Sequence, residues 1–299
     1  MLTRRRFIAV SAAAFAPSMA MPNTQDLHVE TGIALGATVT LRLYHPDAPR
    51  VAAMAMDEIR RLEAIFSLYL PDSALSRLNR DGFLSAPPFE LLDCLTLAGS
   101  VHRASRGRFD PTIQPLWQAE ARMLELGSSL TFGQRAELKA HVGWDGVTFG
   151  ADAITLRRGM ALTLNGIAQG YIADGVAALL ASNGLSRALI DTGEMIALPD
   201  GSWPIQLAEG GRLALQNRAL ATSAPRGMTF GGDGVTSHIF DPATGRPVLS
   251  RWRSITVSAS SAAVADALST AACLFGDKAD AIALCAAYPG AFLEAAVLL

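Results

Sequence analysis

The sequence predicts an α+β fold, with helices concentrated in its first half and strands in its second. Two observations carry this. Apolar residues recur at helical spacing through residues 51–66 and 88–105, whereas residues 203–257 break into short runs punctuated by glycine and proline. A third observation sets the scale: half of the 299 residues are apolar. That is enough to bury a large core in one big domain or two intimate lobes.

Residues 1–20 read as a leader. Thr3-Arg4-Arg5-Arg6-Phe7-Ile8 is a twin-arginine pattern, an alanine-rich apolar run follows, and Ser18-Met19-Ala20 has the small-x-small form of a cleavage site. The apolar run is too short to span a bilayer. No cysteine lies near the cleavage point to receive a lipid. The expectation is a protein folded before export to a bacterial periplasm, with residues 21–299 as its folded domain. The formal net charge is −2, and loss of the leading arginines makes the chain more acidic still. Nucleic acid is therefore not an expected partner, since phosphate contacts need a basic stripe. Cys94, Cys273 and Cys285 have no metal-binding spacing and read as buried thiols.

In chain order, residues 27–44 alternate weakly and predict paired strands turning near Gly32. Met54, Ile59, Leu62, Ile65 and Phe66 make the apolar face of a helix over 51–66. Residues 67–81 predict a loop and a short helix. The helix over 88–105 ends at Gly107, a glycine suited to a C-terminal cap. Helices are predicted over 115–126 and 132–141, and a hairpin over 147–157 turning at Gly150-Ala151-Asp152. A short strand over 161–164 leads through a glycine turn into a helix over 171–182, capped by Gly184. Residues 187–191 form a buried strand. Ser260 or Ser261 starts a helix over 261–275, another covers 277–287, and residues 291–298 close the chain as a strand.

Two segments combine groups that carry chemistry. Asp266 and Thr270 stand four residues apart, hence on one face of a helix, amid Val264, Ala265, Ala267, Leu268 and Ala271. A hard cation such as Mg²⁺ takes oxygen ligands of this kind. The alternative is a hydrogen-bonded Asp–Thr pair, although a carboxylate in so apolar a setting needs a partner. His238 precedes the turn Asp241-Pro242-Ala243-Thr244-Gly245, where a group titrating near neutrality serves as acid or base, or simply pairs with the turn. Two further segments are weaker. Asn165-Gly166-Ile167-Ala168-Gln169-Gly170 is a strand-to-helix turn that offers N–H groups to an anion or only permits close packing. Arg108-Phe109-Asp110-Pro111-Thr112 offers a cation for a phosphate and a ring for stacking, or is just a loop.

In this order the segments resemble the ApbE family, the FAD:protein FMN transferases. The matching pieces are Leu35-Gly36-Ala37, Ser67-Leu68-Tyr69 with Asp72-Ser73 and Leu78-Asn79, Gly107 through Thr112, Thr163 through Gly170, Ala221-Thr222-Ser223, His238 through Gly245, and Ala265 through Thr270. The resemblance spans nearly the whole exported chain and implies an ApbE-like fold of mixed sheets and packed helices, two lobes enclosing a flavin site. It implies Mg²⁺-dependent transfer of FMN from FAD to a threonine or serine of an acceptor flavoprotein, with AMP leaving. The implied acceptor is membrane-bound with a periplasmic domain. A flavin carrier without transfer and an FAD pyrophosphatase are the alternatives. By the same resemblance Asp266, Thr270 and the Gly166 carbonyl match the metal ligands, and His238 matches the motif histidine, a proton acceptor. Leu35, Tyr69, Arg108, Phe109, Asp110, Thr163, Gln169 and Phe240 fall at FAD contacts.

The chain departs from the family pattern at four places. Thr163 replaces an aspartate, Gln169 a lysine or glutamate, and Leu35-Gly36-Ala37 a Met-Gly-Thr. Glu194 stands where a second glycine follows Gly193. With the leader, these departures are similar to the branch associated with nitrous oxide reductase maturation.

Overall fold

A computed structural model describes residues 26–34, 36–207, 210–229 and 236–299. The predicted leader and Leu35 lie outside the described residues. Strands β1 (His28–Ala34) and β2 (Ala37–Leu43) are followed by helices α1 (Ala48–Phe66) and α2 (Ala74–Asp81), strand β3 (Phe83–Ser85) and helix α3 (Phe89–Ala104). Helices α4 (Gln114–Glu125) and α5 (Phe132–Lys139) precede strands β4 (Val147–Phe149) and β5 (Ala153–Leu156) and helix α6 (Ala168–Ser182). Strands β6 (Ala188–Asp191), β7 (Met195–Ala197), β8 (Trp203–Gln206), β9 (Arg212–Leu215) and β10 (Arg218–Ser223) come next. The chain finishes with β11 (Phe240–Asp241), β12 (Arg246–Pro247), β13 (Trp252–Ala259), α7 (Ala262–Ala272), α8 (Lys278–Ala286) and β14 (Phe292–Leu298). This is an α+β fold, as the sequence predicts.

Seven strands form one antiparallel sheet in the order β1-β2-β6-β7-β10-β13-β14. The strand period of two sorts its side chains between faces. Ala188 and Ile190 of β6, with Ala219 and Ala221 of β10, join the main core, whereas Leu189 and Leu220 join a smaller cluster with Trp203, Ile205 and Leu215 of the β8–β9 hairpin. Helices α1, α6 and α7 supply the helical side of the main core. A third apolar cluster gathers Ile113, Leu116, Ala121 and Phe240, joining α4 to the β11–β12 hairpin. That hairpin is tied down by Arg135 of α5. Its guanidinium donates to the Gly245 carbonyl at 2.9 Å and pairs with buried Glu120 of α4 at 2.8 Å.

Three predicted features differ. The first turn lies at Gly36 (φ 78°), not near Gly32, which is inside β1 paired with Val39. A Cβ at Gly32 would meet only the flexible end of the Met56 side chain, so neither a turn nor the packing of α1 demands a glycine here. Residues 161–164 form no strand. The Asn79 amide takes the place of a neighbouring strand, accepting from Leu162 N at 2.7 Å and donating to its carbonyl at 2.8 Å, while Thr163 N donates to the Pro111 carbonyl at 2.8 Å. The hairpin of β4 and β5 gains a third strand, β3, from distant sequence. The three cysteines are buried free thiols.

Helix α7 is set by its partner α6. Ser261 is the N-cap, accepting from Val264 N at 3.2 Å and donating to Asp174 of α6 at 2.7 Å. The Asp174 carboxylate also accepts from Ala262 N at 2.7 Å and Ala263 N at 3.0 Å. Gly170, one turn earlier on α6, lies against the same backbone; a Cβ there would overlap the Ala262 carbonyl and come within 2.6 Å of Ala263 N. Backbone cannot move aside as a flexible side chain can. Gly170→Ala is therefore expected to destabilise the protein by about 1–3 kcal/mol, measured by urea unfolding. Unchanged stability would mean that the two helices can separate freely.

Candidate functional site

The carboxyl end of the glycine turn, the start of α6, the β6–β7 turn, β10, α7 and the β11–β12 hairpin converge on a cavity of about 270 Å³. It opens between the main core and the α4–α5 layer, since Phe109 belongs to the first and Ile113 and Phe240 to the second. Of the residues predicted for the site, Arg108, Phe109, Asp110, Thr163, Gly166, Gln169, His238, Phe240, Asp266 and Thr270 all line it. Tyr69 does not: its side chain is 46% exposed, on a loop held by Ser67 and Ser73. Leu35 is outside the described residues, and Ala37, two positions on, lines the cavity.

Asp266 is only 3% exposed. Its Oδ2 accepts from Gly170 N at 3.4 Å. Burial pushes its pKa up to about 8, opposed by that hydrogen bond and reinforced by the negative charge of Asp174. One helical turn on, the Thr270 hydroxyl lies 3.1 Å from that of Ser223 on β10, which is also 2.7 Å from Ser269. Gly166 faces Thr270 so closely that a Cβ would lie 2.9 Å from the hydroxyl oxygen. The turn is thus built for close approach, and Gly166 lines the cavity together with Asp266 and Thr270. Helix α6 begins here without a side-chain cap, so its first N–H groups bring partial positive charge to the cavity.

His238 is held by its Nδ1, which lies 2.9 Å from the Met228 carbonyl. A carbonyl only accepts, so this nitrogen carries the hydrogen, and in the neutral ring Nε2 is left as the acceptor. Burial lowers the His238 pKa below 6.5, while the carbonyls of Met228 and Pro225 oppose the shift. Asp241 does not bond His238. It builds the turn, with Oδ1 accepting from Ala243 N at 2.9 Å and Oδ2 accepting from Thr244 Oγ1 at 3.1 Å. Asp110 is likewise a cap, accepting at Oδ1 from Thr112 N at 2.9 Å and Thr112 Oγ1 at 2.6 Å. Burial raises its pKa, and the two Thr112 bonds lower it. The Arg108 guanidinium rests 4.4 Å from the centre of the Phe275 ring, a cation held at the cavity wall by a face that does not neutralise it.

Two residues gain roles that sequence reasoning did not give them. Asn79 shapes the segment before the glycine turn, as described above. Glu194, noted only as a departure from a glycine, is 8% exposed and lines the cavity. Its Oε2 accepts from Thr222 N at 3.3 Å. Burial first, and the charges of Asp266 and Asp191 next, push its pKa well above 4.5. Among the described residues no salt bridge reaches Glu194 or Asp266. Buried oxygen donors without a basic partner suit a hard divalent cation.

The profile of the ApbE family matches residues 35–292. The chain is 28% identical over 283 residues to an FAD:protein FMN transferase of Vibrio cholerae, covering 85% of this chain and 83% of that protein. It is 26% identical over 294 residues to the FAD:protein FMN transferase of Escherichia coli K12, covering 88% and 82%. In fold it is similar to the apo flavinyl transferase ApbE of Pseudomonas stutzeri, with a TM-score of 0.77, 22% identity and coverage of 93% and 96%. It is also similar to the ApbE protein of Thermotoga maritima, with a TM-score of 0.77, 23% identity and coverage of 86% and 90%.

The lowered pKa of His238 has a linked consequence for stability. Below 6.5 the unfolded chain takes up a proton on this ring before the folded chain does, so folding stability falls as pH drops from 6.5 toward the folded pKa. His238→Gln should flatten that part of the stability profile, measured by urea unfolding across pH 5 to 7. A wild-type imidazole that titrates above 6.5 by NMR would refute the assignment.

Proposed function

The chain belongs to the ApbE family, and from that premise we propose that it transfers FMN from FAD to a protein acceptor at the cavity around Asp266 and His238. The observation that carries this reading is the convergence of a buried carboxylate without a basic partner, a histidine held at its Nδ1 by a carbonyl, and the start of α6 on one cavity walled by aromatic side chains. Phe109 and Phe240 offer flat apolar surface for the flavin ring. Arg108 and the start of α6 offer positive charge for the phosphates.

In the reaction we propose, the hydroxyl oxygen of an acceptor threonine or serine attacks the FMN phosphorus. The bond from that phosphorus to the bridging oxygen breaks, and AMP leaves. The hydroxyl proton passes to Nε2 of His238, whose ring orientation is fixed by the Met228 carbonyl. Mg²⁺ fits the donor set of Asp266, Thr270 and the Gly166 carbonyl, and when bound it supplies charge neutralisation at the pyrophosphate. Thr163 and Gln169 give neutral hydrogen-bonding groups where the family motif carries charge, so binding here relies on dipoles and the cation rather than on a lysine. The twin-arginine leader supports action in the periplasm, on a membrane flavoprotein that exposes its acceptor hydroxyl there.

Incubation with FAD, Mg²⁺ and an acceptor fragment is expected to add the mass of FMN to one threonine or serine and to release AMP in equal amount. Asp266→Ala should give no product, and His238→Ala should slow transfer by about 10²–10⁴-fold. AMP release without acceptor would identify a pyrophosphatase instead, and bound FAD with no AMP a carrier. Because His238 must be neutral to accept a proton, the rate should level off on the alkaline side of an acid limb lying below pH 6.5. A limb that moves in the His238→Gln variant ties it to this residue.

A further inference from the structure

Glu194 has no structural task that explains its burial. It closes the β6–β7 turn, in which Thr192 N donates to the Glu194 carbonyl at 3.0 Å and Gly193 N donates to Asp191 Oδ1 at 3.1 Å. The turn needs a glycine at 193, where φ is 103°, but the side chain at 194 takes no part in its hydrogen bonding. That side chain enters the cavity, where Thr222 N is its hydrogen-bond donor. Thr222 precedes Ser223, which touches the Thr270 hydroxyl, so Glu194 reaches the same wall as the Asp266–Thr270 pair. A backbone N–H offsets little of the cost of burying a carboxylate.

Three substitutions then fit together. Thr163 removes a carboxylate from the cavity, and Glu194 adds one. Gln169 is neutral where the family pattern has a lysine or a glutamate, and it lies beside the β6–β7 turn: its amide nitrogen is 2.9 Å from the point a Gly193 Cβ would occupy. Glu194 and Asp266 line the same cavity, near enough for the charge of Asp266 to act on Glu194. Two buried carboxylates in one cavity share either a proton or a cation. Thr270, the Gly166 carbonyl and the neutral Gln169 add oxygen donors to this wall and no competing charge.

We infer that Glu194 is a further carboxylate ligand to the divalent cation, so that this chain holds its metal between Glu194 of the β6–β7 turn and Asp266 of α7. The inference rests on the transferase reading only for the presence of the cation. A carboxylate at 194 thus stands in for the one absent at 163.

The test is calorimetric titration of Mg²⁺ into FAD-loaded protein without acceptor. Glu194→Gln keeps the size of the side chain and an acceptor for Thr222 N, and is expected to weaken Mg²⁺ binding at least about tenfold. Glu194→Asp should lie between it and the wild type. Asp266→Ala should also lose binding. Wild-type affinity in Glu194→Gln, with binding lost in Asp266→Ala, would overturn the Glu194 assignment and leave the metal reading intact. Wild-type affinity in both would overturn the metal reading itself. A measurement on unmutated protein guards against misfolding: with glutamate ¹³C-labelled at its side-chain carboxyl, Mg²⁺ should shift a labelled carboxylate band in difference infrared spectra. An unshifted band would also overturn the inference.

Discussion

The site depends on one antiparallel contact between the amino-terminal ends of two helices. Asp174 binds the first N–H groups of α7 at Ala262 and Ala263, Gly170 lies against Ala262 and donates to Asp266, and Gly166 lies against Thr270. Along one side the positions fall by four, from 174 to 170 to 166; along the other they rise by four, from 262 to 266 to 270. A step of four on both sides is the spacing of one ridge of a helix packed along another. The first rung is a cap, the second brings backbone to carboxylate, and the third brings the glycine of the turn against a hydroxyl. The two motifs, far apart in sequence, are the two halves of a single packed seam. The small residues that let the backbones meet are the same ones that expose the oxygen atoms.

This seam explains how the oxygens of Asp266 and Thr270 can be held in the interior at all. A carboxylate at the mouth of an open loop would be hydrated and would swing. Asp266 is on the second turn of a helix whose start is fixed by Asp174, amid Ala263, Ala267 and Leu268. Its orientation is therefore set by the fold, and its charge is left for the cavity to satisfy. The seven-stranded sheet supplies the other wall. Ser223 at the end of β10 holds the Thr270 hydroxyl from the side opposite Gly166, and the β6–β7 turn contributes Glu194 next to it.

Much of this was legible in the sequence because it is local. The helical face that unites Asp266 and Thr270 and the serine cap before it are read from spacings of one turn or less. Helix α3 ends earlier than Gly107, at Ala104 with Ser105 as its cap; the left-handed residues Arg106 and Gly107 follow, and Gly107 N donates to the His102 carbonyl at 2.8 Å. What failed was non-local. Gly32 looks like a turn residue, but it lies inside β1, paired with Val39 of β2. Residues 161–164 look like a strand because they are extended and apolar, yet their hydrogen-bonding partner is the Asn79 side chain, 83 residues away. No periodicity announces that β2 pairs with β6 or β10 with β13. The site divides in the same way. Residues within the glycine turn, α7 and the histidine hairpin meet in the cavity, whereas Tyr69, tied to them only by motif, does not line it.

Glu194 shows how a departure from a pattern becomes readable once the packing is known. By itself, a glutamate in place of a glycine beside a turn is an ordinary surface substitution. In the folded chain that position lines the cavity, which also carries a neutral threonine at 163 and a neutral glutamine at 169 where the family pattern has charged groups. A buried carboxylate without a counterpart costs several kcal/mol. The carboxylate present at 194 offsets the one absent at 163. Two buried carboxylates without a basic partner take up either a proton or a cation. On the proposed reading it is the cation, and the fold is then the scaffold for that ion as much as for the flavin.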